Sequence, residues 1–512
     1  MKNKKNIKLH PAIVFLILTI IVMIISSIGR ILNLETSYNS VNAVTGDITT
    51  QVINIKTLFN RTGLQYLISS MVDNFISFAP LANIIVGLIG VGVAYKSGFL
   101  NSLFKMIGKV VPRKTLTFIV VLLGVISTMF SEVGYVILIP LSAILFMNLG
   151  RHPSAGICAA FAGITFGMGA GIVVNNIDST LIDYTNSAAS ILDTSYKCSI
   201  GGNLFFMIIS TILISYLGMF ITERYIIPKL GKYTFDEEDP PQDGLVTKKE
   251  KKGVIISLLA TLLLVLILIY CITPNLPFSG LLLYLKDSSY VDQLFGYNSY
   301  FKQGIVTITS FLLIFAGLFY GIRVKTITSS KDLVNSMNYY LKEICSILVL
   351  IFFAAQFCLI FKETNIGVFV VASLTELLSN LELSGLLLVI VSFVLIVISS
   401  VFVPALGTKW AIMSPIMVPM FMQSSLTPEF AQAVFRGASS ATLGITPLFT
   451  YFVILIGFLE IYNKRKNDTV TITDAMSLMV PYTIAYVVLW LLIILGFYTI
   501  GLPIGPGVSV MI

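Results

Sequence analysis

The 19 residues from Pro11 to Gly29 carry no charge, and an uncharged apolar run of that length crosses a bilayer as a helix. The segment is too long and too rich in leucine and isoleucine for a cleaved signal, and no small-x-small cleavage site follows, so it reads as a retained helix. Comparable runs recur along the 512 residues, of which 56% are hydrophobic and 11% charged. Soluble domains carry about a quarter of charged residues. The fold class that follows is an all-α polytopic membrane protein.

Two of the apolar stretches share a stranger pattern. Each breaks at a polar kink, returns, meets a proline and leads into a small-residue, Gly-rich segment. The first runs from Ser127 through Ser131-Glu132-Val133-Gly134-Tyr135, Pro140, Phe146, Met147 and Pro153 to Gly169; the second runs from Ser399 through Pro404, Gly407-Thr408-Lys409-Trp410, Pro415, Phe421, Met422 and Pro428 to Gly444. A shift of 275 positions superposes them, with 6 identities in the 35 pairs from 135 to 169. Paired broken segments in corresponding places of two halves point to the binding site of a transporter.

Basic clusters set the orientation, because cytoplasmic loops are enriched in Lys and Arg. Lys2, Lys4, Lys5 and Lys8 place the N-terminus inside, and Lys96, Lys105, Lys109, Arg113 and Lys114 mark the next inner loop. The reading gives an N-terminal half, 1–223, with helices at about 11–32, 79–97 and 203–223. A hairpin at about 115–149 and a broken helix at about 154–195 complete it. A charged cytoplasmic linker spans 224–252. The C-terminal half, 253–512, holds helices at about 253–272, 301–322, 343–362 and 475–497, a second hairpin at about 384–425 and a broken helix at about 428–461. Nine crossings and two hairpins result, with the C-terminus outside. An odd number of crossings separates the hairpins, so they face opposite ways. A kinked single crossing is the alternative for 115–149.

Composition excludes several functions. The net charge of +8 follows from the inner loops and gives no reason to expect nucleic acid. Cys158, Cys198, Cys271, Cys345 and Cys358 show no metal-type spacing, and their odd number argues against a disulfide framework. His10 and His152 are the two histidines of the chain, each beside a proline, which leaves no His-based catalytic or metal centre. No nucleotide-binding Gly-x-x-x-x-Gly-Lys-Ser/Thr loop and no selectivity-filter sequence occurs. An intramembrane enzyme would need a nucleophile-base or metal constellation, and none is visible; a channel suits paired opposed hairpins less well than a two-gate carrier.

Non-helical backbone at membrane depth is tolerated where it is buried in protein or lines a water-filled cavity. The hairpin tips, with Ser131 and Glu132 in one and Pro404, Gly407, Thr408 and Lys409 in the other, can therefore offer carbonyls to a cation or N–H groups to an anion. The helix breaks, 163–176 and 437–446, can do the same. Charges inside the membrane are expensive and usually partnered. Asp178, after Asn175-Asn176, reads as a cation- or proton-coupling group, a substrate contact or a helix cap. Arg436 reads as a carboxylate fork or as the ion-pair partner of Asp178. Glu132 and Lys409 are gating or coupling charges, or reach water at the tips. Trp410 stacks on an aromatic substrate or packs.

At these residues the chain resembles the AbgT family, the p-aminobenzoyl-glutamate transporters. The resemblance spans nearly the whole chain: His10-Pro11, Met71 through Leu81, Gly90 through Ala94, Ser131 through Leu141, Gly150-Arg151-His152-Pro153, Ala160 through Gly163, Lys409 through Met422, and Ile445-Thr446-Pro447. It implies a homodimer in the inner membrane, each subunit with nine helices and two opposed hairpins. It implies movement of p-aminobenzoyl-glutamate-like folate fragments or export of sulfonamide-type antimetabolites. Sodium or protons would drive it, and no organic cofactor would be needed. The family's membrane Asp, Trp, Arg and Pro residues fall on Asp178, Trp410, Pro428, Arg436 and Pro447. Four departures bear on the substrate. An Asn of the first break is Gly171, the tip Asp is Glu132, a Ser of the second tip is Gly407, and an Asp three residues past the arginine is Ser439.

Overall fold

The computed structural model describes residues 9–41, 47–130, 132–234, 246–286, 289–296, 298–463 and 469–512. The N-terminal lysines, Ser131, the acidic stretch of the linker and Lys464-Arg465-Lys466 lie outside the described residues.

The chain opens with α1 (Pro11–Ile31), strands β1 (Glu35–Val41) and β2 (Ile48–Asn54), α2 (Arg61–Ile76), α3 (Ala79–Lys96) and α4 (Phe99–Val110). Next come α5 (Arg113–Ser127), α6 (Ile139–Asn148), α7 (Pro153–Phe166), α8 (Asn176–Ala189), α9 (Leu204–Ile221) and α10 (Ile227–Leu230). The second half holds α11 (Lys248–Ile272), α12 (Tyr290–Phe295), α13 (Tyr300–Val324), α14 (Ser330–Glu363) and α15 (Ile366–Asn380). It closes with α16 (Gly385–Phe402), α17 (Leu406–Gln423), α18 (Pro428–Ser440), α19 (Phe452–Ile461) and α20 (Ile472–Ile500).

Caps explain where many of these helices start. His10 Nδ1 accepts from the Ala12 N–H ahead of Pro11. Capping boxes open α8 (Asn175, Asp178), α11 (Thr247, Glu250), α14 (Ser329, Asp332) and α20 (Thr471, Asp474), each satisfying two otherwise orphaned N–H groups. Leucines and isoleucines stand exposed on α1 and α11, among them Ile20, Ile24, Leu259 and Leu263, as helices facing lipid require. Eight helices among the described residues are long and apolar enough to cross a membrane, and α14, bent by 56°, makes a ninth if taken as one span.

Both sequence-predicted reversals are present. The segment from α5 through a π-helical turn at Gly134–Leu138 to α6 ends where it began: Arg151 Nη1 donates to the Arg113 carbonyl at 3.4 Å. Arg151 and Thr117 both hold Glu223, just past the end of α9, at 2.5 and 2.6 Å. This base adjoins the first half of α20, where the Tyr482 hydroxyl meets Thr222. The arms of the second reversal, α16 and α17, come together at the other end of α20. A Cβ at Gly385 would lie 3.5 Å from the Tyr498 hydroxyl, and the Tyr498 ring stacks on Phe430, which itself packs on Phe421 of α17. Tyr482 and Tyr498 are about 24 Å apart along a straight helix. The two reversals therefore open in opposite directions.

Each reversal feeds a broken helix, α7–α8 and α18–α19, and the two breaks cross. A Cβ at Gly169 would sit 2.6 Å from both the Arg436 carbonyl oxygen and Ser440 Oγ, and one at Gly444 would sit 2.4 Å from the Phe166 ring. Glycine alone allows that approach.

The structure adds elements the apolar pattern does not announce. The polar stretch at 33–62 contains a β-hairpin, registered from Glu35↔Asn54 to Val41↔Ile48, which leans on α15 and α17. The basic inner loop is mostly α4, whose Phe99 and Leu100 are buried. The helix read at 343–362 starts 13 residues earlier, at Ser330, where the Ser329 and Asp332 cap holds it.

Candidate substrate and ion site

The crossing of the two breaks brings together the two membrane charges singled out from the sequence. Asn175 caps α8, its Oδ1 accepting from the Ile177 N–H at 2.8 Å. In return the Asn175 N–H donates to Asp178 Oδ2 at 2.8 Å. The other carboxylate oxygen, Oδ1, accepts from Arg436 Nη1. Asp178 thus caps the restarted helix and pairs with the arginine, two of the readings the sequence left open. Arg436 Nε reaches the Gly169 carbonyl at 3.4 Å, so the bare backbone of the first break is an acceptor for the second. Asp178 is 1% exposed and Arg436 is fully enclosed.

Among the described residues, Arg436 Nη2 and Asn175 Nδ2 of the pair's own network have no partner, and neither does Ser439 Oγ, one turn along α18 from Arg436. A buried donor left unsatisfied costs about 1–3 kcal/mol, so the cluster is built to receive an acceptor. Gly171 contributes to this state. A Cβ there would lie 3.5 Å from Asn175 Nδ2, and the glycine offers no side-chain carbonyl to it. Its own N–H is held by Thr211 Oγ1 at 3.0 Å.

The second reversal closes on α8 from the other side. Gly407 faces Thr180, with 3.3 Å from its Cβ position to Thr180 Cγ2, while Thr408 is exposed. Trp410 is fully enclosed; its Nε1 donates to Thr185 Oγ1 at 2.9 Å and its ring lies 4.5 Å from that of Phe435. Phe435 therefore covers the tryptophan face that an aromatic ligand would use. Lys409 does not reach water: it is fully enclosed, with Nζ bonded to Ser400 Oγ at 2.5 Å. The reason is geometric, since side chains of a helix lean toward its N-terminus, and here that direction leads back to the end of α16.

At the first tip, Glu132 is half-buried and within electrostatic reach of Lys302 and Tyr135. Lys302 Nζ also donates to Asn176 Oδ1 at 2.6 Å, which ties the start of α13 to the start of α8. Pro428 opens α18, about 12 Å along the helix from Arg436, and the Pro447 carbonyl faces Cys358. Pro428 shapes a helix start, and Pro447 lies within the break between α18 and α19. Sequence reasoning missed Glu429, which is 2% exposed and accepts from the Tyr196 hydroxyl at 2.9 Å and the Ser199 N–H at 3.0 Å. A carboxylate directly after the proline that opens a membrane helix was the available signal. Among the described residues no group of three or more His, Cys, Asp or Glu could hold a metal ion.

Opposed chain reversals, each feeding a helix that breaks beside a buried charge, define a polytopic helical membrane transporter. The chain belongs to the AbgT putative transporter family, which it matches over residues 4–512. It is 30% identical over 499 residues to the p-aminobenzoyl-glutamate transport protein of Escherichia coli strain K12, covering 98% of this chain and 94% of that one. Two solved structures are similar. The YdaH transporter of Alcanivorax borkumensis shares 28% identity, with 97% of this chain and 100% of that chain covered and a TM-score of 0.48. MtrF of Neisseria gonorrhoeae, described within a class of antimetabolite efflux pumps, shares 32% identity with 98% of each chain covered and a TM-score of 0.49. The chain is a transporter and not an enzyme.

Proposed function

We infer that this chain is an ion-coupled secondary transporter of small carboxylates, working by alternating access around the Asp178–Arg436 crossing. The substrates are p-aminobenzoyl-glutamate-like folate fragments, or sulfonamide-type antimetabolites when the protein runs outward. The observation that carries this reading is the donor cluster at the pair. Arg436 Nη2 and Asn175 Nδ2 are buried without acceptors, and a substrate carboxylate supplies them. Ser439 joins the cluster, and Gly407 and Thr408 border it from the second tip. Trp410 supports the aromatic ring through Phe435. Asp178, with Glu132 and Ser131 at the first tip, takes part in coupling to sodium or protons. The protein sits in the inner membrane as a homodimer, N-terminus in the cytoplasm and C-terminus outside.

A second reading is favoured by Gly171 and Ser439, which change the polar groups facing the ligand: the same fold carries another acyl-amino acid, a peptide or a dicarboxylate. Counterflow in proteoliposomes tests both. Labelled p-aminobenzoyl-glutamate should enter faster when unlabelled substrate is inside, and imposed sodium or proton gradients should then separate the coupling ions. Steady ion current without exchange would overturn the carrier reading.

A further inference from the structure

Two cavities follow one seam of the fold, between α20 and the chain that runs from α9 through a π-helical turn at Thr222–Ile226 into α10. The first, of about 490 Å³, lies beside the base of the first reversal, and its lining includes His152, Lys229, Lys232, Asp474 and Ser477. The second, of about 550 Å³, is apolar, and its lining includes Leu217, Phe220, Tyr225, Pro481, Ala485 and Leu492. Ser477, Pro481, Ala485, Val488 and Leu492 recur at steps of three and four residues, so they share one face of α20. Leu217, Ile221, Tyr225 and Lys229 recur at steps of four on the facing chain. The cavities are therefore successive stretches of one groove, polar at one end and apolar along the rest.

Behind the groove the two elements are tied together. Tyr486 donates to the Ile214 carbonyl at 3.1 Å, and the Tyr482 hydroxyl meets that of Thr222 at 2.6 Å. The apolar rim, with Phe220, Ile484, Val488 and Leu492, is exposed. From Pro481 to Leu492 it is about 16 Å long, the depth of one leaflet of a bilayer whose hydrocarbon core is about 30 Å thick. Tyr225 stands where the polar end gives way to the apolar one, and tyrosine collects at that level of a membrane.

The polar end suits an anion. Pro481 has no N–H to offer the Ser477 carbonyl one turn earlier. Lys229 Nζ donates to that carbonyl at 2.7 Å and to Ser477 Oγ at 3.2 Å. These bonds fix the ammonium at the junction of the two cavities and use two of its three donors. Lys232 is exposed on the same cavity. Among the described residues no carboxylate lies within ion-pair distance of either lysine. Asp474, the acid among the lining residues, is turned to the cap of α20, its Oδ2 accepting from the Thr471 N–H and hydroxyl at 3.0 and 2.8 Å.

We propose that this groove holds one anionic diacyl phospholipid, with its phosphate on Lys229 and Lys232 and an acyl chain along α9 and α20 from Tyr225 to Leu492. The lysines select the charge, and the leaflet-long apolar stretch selects a lipid over a soluble phosphate.

Native mass spectrometry of the full-length chain in detergent micelles tests this, with phosphatidylglycerol, phosphatidylcholine of the same chains and glycerol 3-phosphate as probes. The wild-type chain should retain one phosphatidylglycerol and prefer it to phosphatidylcholine. Lys232→Gln should weaken phosphatidylglycerol about fivefold, the worth of one lysine toward an anionic lipid surface, and leave phosphatidylcholine unchanged. Ala485→Trp fills the groove and should displace both lipids; Val488→Trp, on the exposed rim, replaces it if that variant does not fold. Equal retention of the two lipids, glycerol 3-phosphate bound as tightly as phosphatidylglycerol, or wild-type lipid binding in the variants overturns the site. A change of oligomeric mass in Ala485→Trp with no lipid displaced assigns the groove to a second copy of the chain and overturns it as well. Binding is read without transport, so the result is independent of the substrate.

Discussion

The Asp178–Arg436 pair makes a quantitative prediction. Its side chains are 2% and 0% exposed, so water screens neither. Removing one partner of such a pair leaves an uncompensated buried charge and costs about 3–5 kcal/mol. Asp178→Asn isolates that term, because the amide oxygen can still accept from the Asn175 N–H and keep the cap of α8. Asp178→Ala also loses the cap, adding about 1 kcal/mol. Arg436→Met leaves Asp178 with a single donor, the Asn175 N–H, at a similar cost. The double variant Asp178→Asn with Arg436→Met contains no orphaned charge. It should be more stable than the sum of the singles implies, by about 2 kcal/mol or more, because losing both partners of a buried pair is far cheaper than losing one. Unfolding in mixed micelles can be followed by tryptophan fluorescence, since Trp410 and Trp490 are both fully enclosed. Transport should be lost in all four variants while the protein stays folded. Additivity of the two singles to within about 0.5 kcal/mol would refute an energetic coupling between the two charges, and full transport by Asp178→Ala and Arg436→Ala would remove them from the site.

Other perturbations follow from the same contacts. Gly169→Ala puts a Cβ 2.6 Å from the Arg436 carbonyl oxygen, so it should abolish transport and lower the melting temperature. Gly171→Ala meets nothing closer than 3.5 Å and should leave the melting temperature unchanged. Trp410→Phe keeps an aromatic ring against Phe435 but removes the bond to Thr185, and should cost about 1 kcal/mol in micelle unfolding. Glu223→Gln removes the charge that Arg151 and Thr117 share at the base of the first reversal. It should cost about 1.5–3 kcal/mol and speed proteolysis of the α6–α7 junction.

Much of the fold was legible because lipid imposes long uncharged runs and basic inner loops. Both reversals and both broken helices stood out by prolines and glycines at matching positions. Elements held by contact rather than by an apolar pattern were not legible. The β-hairpin of Glu35–Val41 and Ile48–Asn54 is mostly polar and exposed, and α15, 15 residues long, is short for a crossing. At the site, Asp178 and Arg436 were visible as charges out of place. Their pairing was one of several readings, since 258 positions separate them. The enclosure of Lys409 was not predictable, because it depends on which way α17 leans against α16. The buried Glu429 carried a signal in its place after Pro428, but its partners Tyr196 and Ser199, in the loop after α8, did not.

The crossing at Gly169 and Gly444 has a mechanical consequence. Backbone rests on backbone at one contact, with Ser440 Oγ beside it, and on a flat phenyl ring at the other. One half can pivot on the other there with little steric resistance, and the fulcrum coincides with the Asp178–Arg436 pair.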